Sequence, residues 1–277
     1  MFMNCLRSQA SVTKTAALSF TFLFGFVAVV LAAEPRGLED PTVVFDFDTD
    51  SCYPDAAVLD DGKMNGGLKP TGDIVGECRN LEQLERAHTY HRVATIERDG
   101  TFFEVRMFAL YFEKDQIEDE LGGIFGELVG ASHRHDWEYA LLWLTDGELT
   151  HATVSSHGDA ETKPISELHF DEGKLNAVKV VYHKDGAATH AFRFAKEDEK
   201  DRRAENETEQ WLTPTLMTWE TMEHGGLSNA ELREKFNEHN FGKANCSFND
   251  NHFPKEIAKS SPDGYPSGDE WREALGK

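Results

Sequence analysis

Ser132-His133-Arg134-His135-Asp136-Trp137-Glu138 runs without a break into Tyr139-Ala140-Leu141-Leu142-Trp143-Leu144, the most apolar segment beyond the first 33 residues. Read as a strand from Asp136 onward, side chains alternate, so Asp136 and Glu138 project together while Trp137, Tyr139, Leu141 and Trp143 fill the other face. Tyr139 to Leu144 is apolar on both faces, which places this strand centrally in a sheet covered on both sides. His133 precedes the strand, in a loop led by Gly130-Ala131-Ser132 that can fold it over the two carboxylates. An oxygen-rich set suits calcium or magnesium, whereas zinc favours more nitrogen or sulfur. Two alternatives stay open: His133 paired with His135 on one strand face as a zinc-like site, or the plain start of a strand with a solvated polar edge.

Asp-Gly pairs recur between strand-like runs, and each is a two-residue hairpin signal. Asp99-Gly100 joins His91–Arg98 to Phe102–Phe112; Asp146-Gly147 joins Glu138–Leu144 to Leu149–Ser155; Asp185-Gly186 joins Ala177–His183 to Thr189–Ala195. The expected fold is mainly β with peripheral helices, a single-domain antiparallel β-sandwich. Ser228-Asn229-Ala230-Glu231 opens an amphipathic helix to about His239, and Ser267-Gly268-Asp269-Glu270 opens a short last one. A strand ending at Tyr111-Phe112 leaves Asp115 at its tip, from which the chain returns to His133, so Asp115 is a fourth candidate ligand. Asp46, Asp48 and Asp50 would share a face on a strand, either as a second cation site or as a charged edge. Lys196–Gln210 is mostly charged and reads as an exposed loop or helix.

Arg7 and Lys14, the uncharged apolar run Ala16–Leu31 and the small residues ending at Ala33 read as a signal peptide over 1–33. A retained membrane anchor is the alternative, and residues 34–277 form the domain. In an exported chain Cys52 and Cys78 are natural disulfide partners, closing a loop around Gly66-Gly67-Leu68-Lys69-Pro70-Thr71-Gly72. Cys246 is left over, either buried or paired between molecules. Asn206-Glu207-Thr208 and Asn245-Cys246-Ser247 are glycosylation sequons in a eukaryotic host. With 28 Lys and Arg against 50 Asp and Glu, the net charge of −22 excludes attraction to nucleic acid or anionic lipid through basic residues. Membrane contact, if made, runs through a bridging cation or through sugars.

His133-Arg134-His135-Asp136-Trp137-Glu138 resembles the GHRHDWE heptapeptide of the necrosis- and ethylene-inducing peptide 1-like proteins, secreted cytolysins of plant-associated microbes. Tyr111-Phe112-Glu113-Lys114-Asp115 resembles their YFPKD segment, the loop between Cys52 and Cys78 their disulfide loop, and the segment from Phe241 to Asp250 their FGSANVPFND. The resemblance spans about residues 43–254. It implies an actinoporin- and fungal-lectin-like sandwich, a monomer in solution, with a divalent cation (Ca2+ or Mg2+) held by Asp115, His133, Asp136 and Glu138. Ser155-Ser156-His157-Gly158 is similar to the family's SAHGG segment, which makes His157 a ligand-binding candidate on the sugar rim. It also implies peripheral contact with glycosyl inositol phosphoryl ceramide sphingolipids of plant plasma membranes, extracellular localisation and no enzymatic activity. Ser132 in place of glycine, Glu113 in place of proline, Leu110 in place of tryptophan and a lengthened Asp115–His133 segment depart from the pattern. The lengthened segment bears on lysis, so a non-cytotoxic lectin-like binder is the second expectation. A hydrolase using Glu138 or His135 as base is the third.

Overall fold

The strand that carries the cluster, β4 (His133–Thr145), lies inside a six-stranded sheet. Its neighbours are β3 (Thr101–Asp115) and β5 (Glu148–Ser156), both antiparallel to it. The computed structural model describes residues 40–117, 132–174, 176–186 and 188–276. The expected leader and the greater part of the segment between Asp115 and His133 lie outside them. Beyond β3 come β2 (His88–Arg98) and β9 (Thr215–Thr218), and beyond β5 comes β6 (Asp159–Pro164). A second sheet holds β1 (Thr42–Phe47), β7 (Ala177–Lys184) and β8 (His190–Phe194) in that order.

Turn chemistry sets the register. Asp99 and Gly100 have φ of 55° and 80°, and Asp146 and Gly147 have 51° and 86°, the paired positive values that a tight hairpin matching the strand twist requires. His157 and Gly158 repeat this geometry at 50° and 84° between β5 and β6. No local signal announces that hairpin, because histidine is an uncommon turn residue. The sheets are not wholly antiparallel: β1 runs parallel to β7 and β9 parallel to β2, pairings between distant segments that no local turn encodes.

β4 is covered on both faces, as its composition requires. Ala140, Leu142 and Leu144 join Phe108, Leu110 and Phe112 against Phe45, Val180, Tyr182 and Phe192, forming the core between the sheets. Trp137, Tyr139, Leu141 and Trp143 pack on the opposite side with Leu232 and Phe236 of α2 (Asn229–Glu238). Phe253 and Ile257 of α3 (Phe253–Ser260) and Trp271 of α4 (Gly268–Ala274) complete that layer. The six-stranded sheet is thus the middle of three layers. No described helix is long and apolar enough to cross a membrane.

Cys52 and Cys78 are bonded, and Cys246 is free and buried. The chain between the bonded cysteines lies along β3, with the Asp55 N–H donating to the Tyr111 carbonyl at 2.9 Å and the Leu68 N–H to the Glu113 carbonyl at 2.8 Å. α1 (Leu81–Arg86) follows, capped by Asn80. Two expectations are corrected. Asp46, Asp48 and Asp50 do not share a strand face, because β1 ends at Phe47. Asp46 instead accepts the Glu205 and Asn206 N–H groups at 2.9 and 3.3 Å. Lys196–Gln210 is not merely exposed, since Asn206 is buried in that same contact and Ala204 packs with Val44, Val181 and Trp211.

Candidate metal centre

The apolar core between the sheets gives way to carboxylates at one end of β4. Asp115, the last residue of β3, stands opposite His133, the first of β4; Phe112 stands opposite Asp136 and Leu110 opposite Glu138. One ligand atom each from Asp115, His133 and Asp136 lie within 4.8 Å of one another. His133 is therefore in the strand rather than in a preceding loop. Strict alternation would put it on the Trp137 side, away from Asp136. The alternation is broken by His135, whose φ of 61° inserts a left-handed residue into an otherwise extended strand.

The same twist removes the zinc-like pairing of His133 with His135. The His135 ring lies on the other face, its Nδ1 2.6 Å from the Tyr111 hydroxyl and its centroid 5.5 Å from that of Phe241. Burial, followed by the charge effects of His239 and Arg134, pushes its imidazole down to about 4. His133 uses Nδ1 to donate to the His135 carbonyl at 2.7 Å, which leaves Nε2 with the lone pair that a metal ligand needs.

Partners that the sequence did not flag orient the carboxylates. Asp115 accepts from the His190 N–H at 3.0 Å and from His190 Nδ1 at 2.8 Å, while His190 Nε2 donates to the Asp50 carbonyl at 3.0 Å. Both His190 nitrogens face oxygen acceptors, so the ring is an imidazolium. Burial works against both charges, but their hydrogen bond wins, holding Asp115 below and His190 above the ordinary range. Asp136 accepts from the Tyr182 hydroxyl at 3.1 Å. Burial, then the neighbouring Asp115 charge, pushes Asp136 up to about 7. Glu138 accepts from the Ser155 hydroxyl and is raised by burial and by Asp136. A histidine opening a strand, or a tyrosine within one, carries no sequence signal, so only the fold reveals these contacts.

Asp115, His133, Asp136 and Glu138 line one cavity of about 390 Å³. Glu138 lies outside the tight group of three, on the cavity wall. His157 also lines it, at the β5–β6 turn, with Nε2 3.3 Å from Asp185 Oδ2. Lys243, Asn245 and Lys259 also line it, and Lys259 donates to the Gly158 carbonyl at 2.9 Å. The donor set fits a hard divalent ion: two buried carboxylates that repel each other, a third beside them, and one imidazole with a free lone pair.

The disulfide loop braces this site from behind. Arg134 Nη1 donates to the Gly66 carbonyl at 2.9 Å and to the Gly67 carbonyl. Gly67 has φ of 61°, and a Cβ there would stand 2.7 Å from His135 Nδ1, so only glycine fits. Ser132 does not occupy the positive-φ region among the described residues. Its hydroxyl accepts the Ile117 N–H at 3.1 Å, joining the two ends of the lengthened segment.

The necrosis inducing protein (NPP1) family model matches residues 41–260. The NLP effector protein 2 of Phytophthora capsici is 28% identical over 223 residues, covering 77% of this chain and 74% of that protein. Among solved structures, the fold is similar to that of the non-toxic HaNLP3 protein, with a TM-score of 0.60 and 23% identity over 86% of this chain and 99% of that one. It is also similar to NLPPya in complex with mannosamine, with a TM-score of 0.58 and 23% identity over 82% of this chain and 92% of that one. With a family match running from β1 through α3 and a sandwich shared across its length, the chain belongs to the necrosis inducing protein (NPP1) family.

Proposed function

We propose that the protein is a secreted cytolysin. Residues 1–33 are its leader and 34–277 its single working domain. The cavity holds calcium or magnesium through Asp115, His133, Asp136 and Glu138, Glu138 acting through water. The ion supplies positive charge and open coordination positions for sugar hydroxyls. The ligand is the sugar headgroup of glycosyl inositol phosphoryl ceramides in plant plasma membranes, with His157 on its rim. Necrosis follows from membrane damage without covalent chemistry. The observation that carries this reading is the convergence of Asp115, His133 and Asp136 within 4.8 Å in a sugar-sized cavity. The mannosamine complex of a protein with the same fold supports it. A chain of net charge −22 approaches an anionic membrane only if a cation and neutral sugars make the contact.

Dye release from vesicles containing plant glycosylated sphingolipids tests the proposal. Release is expected to stop with chelator and with Asp136→Ala; release indifferent to both overturns the metal role. The likeness to a non-toxic protein of the same fold favours a second reading, a lectin-like binder that does not lyse. Leaf infiltration with the purified protein separates the two, because only the cytolysin gives necrosis.

A further inference from the structure

The two sequons differ in what folding does to them. N-linked sugar replaces a hydrogen on the asparagine Nδ2, so that atom must reach solvent in the folded protein. Asn206 is 2% exposed, and its Nδ2 donates to Asp46 Oδ1 at 3.3 Å and to the Gln210 carbonyl at 2.9 Å. Both amide hydrogens are used, and a sugar there would expel the segment from the fold. Asn245 is exposed, on the rim of the cation cavity.

A second observation bears on the same sequon. The Ser247 hydroxyl is buried and has no hydrogen-bond partner among the described residues. A buried unpaired hydroxyl destabilises a fold relative to alanine. Contacts among the described residues thus give no reason for a hydroxyl at 247, whereas a transferase reading Asn-x-Ser on the unfolded chain requires one. The intervening Cys246 is free and buried, so no disulfide competes for this segment.

We infer that Asn245 carries an N-linked glycan at the mouth of the cation cavity and that the folded, secreted protein carries none on Asn206, because a chain modified there cannot make the Asp46 and Gln210 contacts. The inference rests on the proposed export of the chain, through a eukaryotic secretory pathway. The glycan leaves from the wall formed by Lys243, Ala244 and Ser247, so the protein presents its own sugar beside a site that the preceding reading assigns to sugars.

The test expresses two forms of the full chain in a secreting yeast, one with its own first 33 residues and one with a yeast leader before residue 34. The second form enters the secretory lumen whatever the native leader does. It is expected to show a gel shift removed by peptide-N-glycosidase, with peptide masses placing aspartate at 245 afterwards. Asn245→Gln and the near-isosteric Ser247→Ala are each expected to abolish the shift, and Thr208→Val to leave it intact. Absence of the shift in the yeast-leader form overturns the inference, as does its survival in Ser247→Ala or its loss in Thr208→Val. If only the yeast-leader form is secreted and shifted, the site stands and the export reading fails.

Discussion

Gly67 shows how one residue joins two sequence motifs that look independent. Its positive φ and the 2.7 Å approach of His135 Nδ1 leave no room for a side chain, whereas Gly72, at φ of 78°, has open space around its missing Cβ. Gly67→Ala is expected to destabilise by roughly 2 kcal/mol or more and Gly72→Ala by about 1 kcal/mol, since a left-handed residue with a Cβ costs that much before any clash is added. Urea midpoints of the two variants check the order. His91 gives a pH dependence. Burial first, then the Arg106 charge, pushes its imidazole down from 6.5 to about 4. The folded state therefore refuses a proton that the unfolded chain accepts, so His91 is neutral to stability above pH 6.5 and destabilises progressively as pH falls toward 4. The loss is roughly 3 kcal/mol. Comparison of wild type with His91→Leu isolates this slope, which is expected to be shallower in the variant. Of the site itself, the four ligand candidates were readable because the cluster and its resemblance both pointed to them. His190 and Tyr182 were not, because their approach depends on how two sheets meet.

At the scale of elements, β4 does two jobs along its length. Its first residues line the cavity, while Trp143 near its other end packs at 6.1 Å from the ring of Trp271 in α4. Trp271→Ala empties a fully buried site and is expected to destabilise by about 3–5 kcal/mol. Cation affinity, measured by calorimetry in native buffer, should remain close to wild type because the cavity is built at the opposite end of the strand. The hairpins at Asp99-Gly100 and Asp146-Gly147 and the caps of α2 and α4 were visible in sequence because each is specified by adjacent residues, whereas Asp185-Gly186 opens a longer connection, with Lys184 paired to His190. β6, β9 and α3 were not: β6 hangs from a His157-Gly158 turn, β9 is four residues long, and α3 follows the buried Asn249 rather than a strong capping signal. His133 was misplaced because strand periodicity assumes uniform backbone, and a single left-handed residue at 135 re-aims what precedes it.

For the whole molecule, the layers share one tether. Cys52 and Cys78 fasten a long irregular segment along β3, and Gly66 and Gly67 within it grip Arg134 beside the ligand strand. Opening the disulfide removes about 2–4 kcal/mol of stabilisation on loop-closure grounds. The larger effect falls on the backing of the cavity. Cation affinity is expected to drop after reduction with dithiothreitol, and Cys52→Ala with Cys78→Ala should reproduce the drop without reductant; titration calorimetry reads both. In a reducing compartment the bond is open and the grip on Arg134 is expected to loosen, whereas an oxidising one, a secretory lumen or the extracellular space, closes it. The backing of the cavity thus follows the redox state of its surroundings, a setting made by compartment rather than by any separate inhibitor.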